Sequence, residues 1–332
     1  SGMVVTATYN DGDSKEVTTY TTSPANGTAL MTVGTETITI TYSGADINGT
    51  APTATTTVDV AAREVSSIAI TTAPAKVDYV EGQVFDPTGM KITVTYNDGG
   101  TAVIDGDYET AGVTFVPSTT TALQTTDTNI VITYEGKIAN QAITVAKKVV
   151  SSITVKTEPT KAEYVEGQNL DLTGIIIEAT YNDGTTAETT SYTTNPANGA
   201  ALTTVGTETI TITYSGADIN GTAPSTTTNV NVVKKIVSSI AVKTEPTKTE
   251  YVEGQNLDLT GIIIEATYND GTTAETTSYT TNPVDGAKLT TVGTETITIT
   301  YSGADISGTA PSTTTNVNVI KKVVSSIAVK TE

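Results

Sequence analysis

Pairs of carboxylates recur along this chain at spacings that invite acid–base chemistry, among them Glu163 with Glu166 and Glu178 with Glu188. A glycoside hydrolase needs two such groups flanking a cleft, one to protonate the leaving oxygen and one to attack or to activate water. Here the pairs return at matching places along the chain, on strand faces or turns, as solvated surface charge does. Acidic and Asn-rich stretches at 164–167, 169–171 and 215–220 offer oxygen ligands of the kind calcium takes, but none has the spacing of an EF-hand loop. The expectation is no cofactor, with calcium at domain junctions as the alternative. The 15 tyrosines fall in four columns of a repeat, represented by Tyr164, Tyr181, Tyr192 and Tyr214. A repeated column predicts packing, with the ring buried and the hydroxyl at a sheet edge, over sugar stacking. Lys156 and Lys243, set against Asn229 and Asn316 in closing strands, have the residue types of an isopeptide bond. Strand parity places the lysines on the outward face, away from Ile240 and Val242.

Composition removes further chemistries. The 332 residues carry 17 Lys+Arg against 36 Asp+Glu, a net charge of −19, and contain no His, Cys or Trp. Without His or Cys there is no zinc site of the usual N/S kind, no Cys or Ser–His nucleophile, no disulfide and no near-neutral imidazole. So negative a surface, with Arg63 the only arginine, predicts no nucleic-acid partner. No apolar run approaches the roughly 18 to 20 residues that cross a bilayer, so no membrane insertion is expected. Thr supplies 76 residues; it is β-branched, fits a pleated half-exposed surface and disfavours helix.

Internal repetition supplies the elements that carry these residues. The string TGIIIEATYNDGTTAETTSYTTNP begins at Thr173 and again at Thr260, with related versions at Ser1 and Thr88. The shared glycines Gly2, Gly89, Gly174 and Gly261 lie 87, 85 and 87 residues apart, and residues 149–235 differ from 236–322 at 8 of 87 positions. Within a repeat, Met90, Ile92, Val94 and Tyr96 alternate with polar residues, and so do Ile210, Ile212 and Tyr214. Period two with one apolar face predicts half-buried strands. The first of these runs into Asn97-Asp98-Gly99, a turn repeated at Asn10, Asn182 and Asn269 and suited to tight hairpins. The repeat closes on TTTNVNV, where Val230 and Val232 alternate with asparagines. Six or seven short strands per repeat predict an all-β chain of tandem two-sheet immunoglobulin-like sandwiches.

The order YVEGQ, DLTG, YNDG, VGT and ITITY, seen from Val237 to Gly303, resembles the bacterial Ig-like domain of group 3, a module repeated in large bacterial surface proteins. The resemblance spans the third and fourth repeats. The second keeps YVEGQ at Tyr79 and YNDG at Tyr96 but has Thr126-Asp127-Thr128 in place of VGT, so its later strands are expected to be displaced. The resemblance implies an extracellular spacer or adhesive array at the bacterial surface, with no catalytic residues to carry over and no enzymatic activity.

The predicted domains are 1–62, without the first strand, then 63–148, 149–235 and 236–322, followed by 323–332 as the first strand of a further repeat or a donor strand. Arg63, Lys147, Lys148, Lys234, Lys235, Lys321 and Lys322 mark the junctions, where a basic pair could meet an acidic loop of the neighbouring unit. No Gly/Ser or Pro-rich spacer separates the repeats, which predicts an elongated semi-rigid rod. The functional expectation is a stalk or shaft that spaces an adhesive domain. One alternative is a module whose repeated loops bind a host glycan or protein. Another is a filament subunit in which Val324, Ile327 and Val329 of one copy fill the incomplete first repeat of another. Its partners would be adjacent repeats or neighbouring copies.

Overall fold

The computed structural model describes residues 2–45 and 49–330, and all regular structure among them is β-strand. The chain divides into two units, Ser1–Lys147 and Lys148–Glu332. The first unit begins with β1 (Thr6–Thr8), β2 (Ser14–Glu16), β3 (Tyr20–Ser23), β4 (Gly34–Tyr42) and β5 (Thr53–Val60). In this first repeat β1 pairs with β2, and β3, β4 and β5 form a second sheet. The second repeat follows as β6 (Val65–Thr72), β7 (Asp78–Val80), β8 (Lys91–Tyr96), β9 (Thr101–Asp105), β10 (Thr114–Val116), β11 (Asn129–Tyr134), β12 (Lys137–Ala142) and β13 (Thr144–Ala146).

The second unit opens with the third repeat: β14 (Val150–Thr157), β15 (Glu163–Val165), β16 (Ile176–Tyr181), β17 (Thr186–Thr189), β18 (Tyr192–Asn195), β19 (Gly206–Tyr214) and β20 (Ser225–Val233). The fourth repeat copies it with β21 (Val237–Thr244), β22 (Glu250–Val252), β23 (Ile263–Tyr268), β24 (Thr273–Thr276), β25 (Tyr279–Asn282), β26 (Gly293–Tyr301) and β27 (Ser312–Ile320). Each of these repeats is a sandwich of a three-stranded sheet, β14-β16-β17 or β21-β23-β24, on a four-stranded one, β15-β20-β19-β18 or β22-β27-β26-β25.

Alternation sets the faces. Along β19, Ile210, Ile212 and Tyr214 are buried while the threonines between them face outward, and on β20 Thr228, Val230 and Val232 meet them from the neighbouring strand. Each fully buried Ile or Val contributes roughly 1.5 to 3 kcal/mol. The opening strand does not alternate strictly. Its register on β16 shifts between Val150 and Ser152, a bulge at which the Ser151 hydroxyl donates to the Thr180 carbonyl. One extra residue there lets Val150, Ile153 and Val155 all turn inward. That bulge is the physical reason for the spacing V-x-x-I-x-V.

After the bulged strand the chain crosses to the other sheet, where β15 runs parallel to β20 with Tyr164 opposite Val232. Tyr164 is a core residue whose hydroxyl accepts the Asp171 N–H at 3.0 Å and donates to the Asp171 carbonyl at 2.9 Å. Tyr251 does the same with Asp258. Buried tyrosine is tolerated because its polar end is matched. The opening strands therefore join both sheets of a repeat.

The second repeat departs where the sequence lacks VGT. Its β11–β12 hairpin turns on two residues, Glu135 and Gly136, both at positive φ, and pairs Tyr134 with Lys137. The closing strand is split at Ile143, so that β13 alone pairs parallel with β7.

Three apolar clusters form the cores, one each in the second, third and fourth repeats, at Val65–Ile143, Val150–Val232 and Val237–Val319. In the first repeat Ile40 is the one buried hydrophobic residue among the described ones.

Candidate functional site

The recurrent polar constellation with specific geometry is the place where a linker meets the Y-N-D-G turn of the repeat that follows it. The turn closes β16 onto β17. Tyr181 donates to the Thr185 carbonyl, Gly184 donates back to Tyr181, and Gly184 takes the positive φ that lets the third loop residue return the chain. The Asp183 carboxylate accepts from the Thr185 N–H at 2.9 Å and from its hydroxyl at 2.5 Å. The turn is thus closed by its own hydrogen bonds.

On that turn sits the linker. In the fourth repeat the Ile236 N–H donates to Asn269 Oδ1 at 3.0 Å, Asn269 Nδ2 donates to the Lys234 carbonyl at 3.0 Å, and the Asn269 N–H donates to the Ile236 carbonyl at 2.9 Å. The asparagine side chain acts as a further peptide unit, pairing with the linker as a strand would. Lys235 Nζ lies 2.9 Å from Asp270, donates to Thr272 Oγ1 at 2.8 Å and stands 4.7 Å from the centre of the Tyr268 ring. Lys234 Nζ is 3.2 Å from Asp305. From the preceding repeat, Glu166 receives the Lys235 backbone N–H at 3.5 Å. Six residues of two repeats hold three residues of linker.

The arrangement recurs. Lys148 reaches Asp183 at 2.8 Å, Thr185 at 2.8 Å and the Tyr181 ring at 4.8 Å, while the Val149 N–H donates to Asn182 at 3.0 Å. Arg63 takes the same place in the second repeat, 2.9 Å from Asp98 with its guanidinium carbon 3.8 Å above Tyr96, and Asn97 bonds the linker at the Ala62 carbonyl and the Glu64 N–H. The Lys148 ammonium, then the Thr185 hydroxyl, hold the Asp183 carboxyl down to about 2. Asp270 is held at about 2 by the Thr272 hydroxyl first and Lys235 after it.

Lys147, Lys321 and Lys322 are exposed, although the Lys322 N–H reaches Glu253 at 3.4 Å as Lys235 does Glu166. Val324, Ile327 and Val329 carry no regular structure and are largely exposed. Glu178 and Glu188 stand opposite each other on adjacent strands, bridged by Lys156 at 3.3 and 2.7 Å. Lys156 is thereby turned away from Asn229, whose Oδ1 accepts from Thr209. In the acidic stretches, Asp171 is engaged by Thr173, and Asp218 offers its carbonyl to the Val150 N–H. Among the described residues no three or more acidic groups are placed to hold a metal ion together. The sequence placed the asparagine in a tight turn and Glu166 in an acidic stretch without marking either as a contact of the linker. The signal available was that Y-N-D-G stays unchanged in all four repeats while the residue after it varies among Asp13, Gly100, Thr185 and Thr272.

The fold and these junctions define a class: immunoglobulin-like β-sandwiches joined in tandem by short, pinned linkers. Residues 157–232 and 244–319 each match the bacterial Ig-like domain (group 3), so the chain carries a tandem pair of domains of that family. A curated relative, pectate lyase L of Thermoclostridium stercorarium, is 26% identical over 288 residues, covering 81% of this chain and 21% of its own length. The chain thus spans about a fifth of that relative. Among solved structures, the surface layer protein SbsC (domains 1–6) aligns over 96% of this chain and 48% of its own, at 17% identity and a TM-score of 0.29. Protocadherin gammaB7 EC3-6 aligns over 87% and 83%, at 11% identity and a TM-score of 0.29.

Proposed function

We propose that this chain is a structural spacer: part of the stalk of an extracellular bacterial surface protein, in which pinned repeats hold a separate adhesive domain away from the cell. The observation that carries the reading is the three-residue linker 234–236, bonded on one side to Glu166 and on the other to Asn269, Asp270 and Asp305. A linker serving only as a flexible tether would have no need of these bonds. The family match supports an extracellular, non-enzymatic role. So does the state of the candidate carboxylates, since Glu178 and Glu188 lie on an exposed sheet face and share one lysine instead of flanking a cleft. The spacer needs no cofactor, and its partners are adjacent repeats.

Small-angle X-ray scattering of the 332-residue chain at neutral pH tests this reading against a variant with Lys234-Lys235-Ile236 replaced by Gly-Ser-Gly. The spacer reading expects the unaltered chain to be the more extended, each repeat adding roughly 30 to 45 Å, as strands of about 8 residues rising 3.3 Å per residue with end loops require. Equal radii of gyration would contradict it. A saturable glycan or protein ligand of the repeated loops would favour the adhesive-module reading instead.

A further inference from the structure

The third repeat contains two Asn-Gly pairs, Asn198-Gly199 and Asn220-Gly221, with the same residue types in different settings. At the first pair the Gly199 N–H donates to the Leu170 carbonyl at 2.8 Å, and Asn198 Oδ1 accepts the Leu172 N–H at 3.0 Å. The fourth repeat keeps both bonds with a carboxylate in place of the amide: Asp285 Oδ1 accepts the Leu259 N–H at 2.9 Å and the Gly286 N–H donates to the Leu257 carbonyl at 2.9 Å. An acid is therefore accommodated at that position as well as an amide.

The second pair lies in the loop that joins β19 to β20. That loop is fastened at its base, where the Ser215 N–H donates to the Ser191 carbonyl and the Tyr214 N–H to the Pro224 carbonyl, and at Asp218, whose carbonyl accepts the Val150 N–H at 2.7 Å. Beyond Asp218 it is held less: Asn220, Gly221 and Thr222 are exposed, and among the described residues neither the Asn220 side-chain amide nor the Gly221 N–H has a hydrogen-bond partner. No atom stands within 4 Å of the place a Cβ on Gly221 would occupy. The same loop of the fourth repeat has Ser307 where Asn220 stands.

We propose that Asn220 is a self-modification site, converted slowly to aspartate and isoaspartate through the residue that follows it, while the folded repeat preserves Asn198. The Gly221 nitrogen, on giving its proton to hydroxide, attacks Asn220 Cγ; the N–Cγ bond forms, the Cγ–Nδ2 bond breaks, and the leaving nitrogen takes a proton from water and departs as ammonia. Water then opens the five-membered imide at one carbonyl to give aspartate or at the other to give isoaspartate, in which the main chain runs through the former side chain. Glycine favours the attack because it has no side chain to shield the nitrogen and leaves the backbone free to bring it to Cγ. At Asn198 the attacking N–H and the amide oxygen are both engaged, so the reaction waits on an opening that breaks two ordinary hydrogen bonds, which lowers the reactive population by about tenfold or more. Conversion adds one negative charge two residues from Asp218, on the loop that holds the opening strand, and Ser307 spares the fourth repeat the same change. The two near-identical repeats thus come to differ in charge as the chain ages.

Ageing the full chain in mildly alkaline buffer, with and without guanidinium, tests the proposal. Proteolytic fragments are then read by mass spectrometry for the mass gain of an amide exchanged for an acid, and by fragment ions that distinguish isoaspartate from aspartate. The proposal expects Asn220 to convert about tenfold or more faster than Asn198 in the folded chain, and the two rates to draw together when guanidinium unfolds it. Asn220 left unaltered in the folded chain would overturn it. So would folded-state conversion of Asn198 as fast as that of Asn220.

Discussion

Asn269 shows how one side chain can serve two purposes that look identical in sequence. Its place in a three-residue hairpin loop is accounted for by turn preference alone, and nothing in the letters Y-N-D-G reveals that the amide faces a linker lying more than thirty residues earlier. The bonds at Ile236 and Lys234 predict that Asn269→Ala destabilises the fourth repeat by about 1 to 3 kcal/mol, at roughly 0.5 to 1.5 per hydrogen bond. Chemical denaturation followed by hydrogen exchange in β23 and β24 would show it. The basic residues were legible as junction markers because they recur at each repeat end, whereas their partner atoms depend on the turn's three-dimensional form. Acid gives a second handle. Asp183 and Asp270, with folded values of about 2, bind protons more weakly folded than unfolded, where a carboxyl sits near 3.9. Their contribution is complete above about pH 4 and is lost as pH falls towards 2. Protection at the 234–236 linker, taken relative to the intrinsic exchange rate at each pH, should fall in that window, and Asp270→Asn should remove its share of the pH dependence there.

Among the strands, the alternating ones were readable because period two places Ile210, Ile212 and Tyr214 on one face whatever they pack against. The opening strand was harder, since a bulge converts regular alternation into V-x-x-I-x-V and only the paired register shows where the extra residue lies. In the second repeat the split between β12 and β13 falls at Ile143, whose N–H donates to the Thr128 carbonyl, so the missing VGT marked the displacement without giving its form. Strand completeness also predicts a position-dependent cost of truncation. Ile264, fully buried in β23, and Val5, half-buried at the same column of the first repeat, are chemically similar. Ile264→Ala should cost about 2 to 5 kcal/mol by loss of transfer free energy and a cavity, and Val5→Ala less than about 1 kcal/mol. Hydrogen exchange read separately in β26 and β4 distinguishes the two, where a single melting temperature for a multidomain chain would not. Equal costs would mean that the first repeat is as well packed as the fourth.

For the molecule as a whole, composition excluded chemistry that depends on His or Cys, and repetition identified the module, but the bonds on which the proposed spacer role rests lie at junctions of a few residues. The third and fourth repeats contain one such junction complete, from Glu166 through Lys235 to Asp270. The absence of cysteine allows two labels to be placed without background, at the exposed positions Thr207 and Thr294 on corresponding strands of the two repeats. The most direct test is the distance distribution between spin labels in the Thr207→Cys, Thr294→Cys chain, measured by double electron–electron resonance at neutral pH. A pinned linker predicts one narrow distribution, which broadens when Asn269→Ala and Lys235→Ala are added. A distribution already broad in the unaltered junction, and unchanged by those substitutions, would contradict the account.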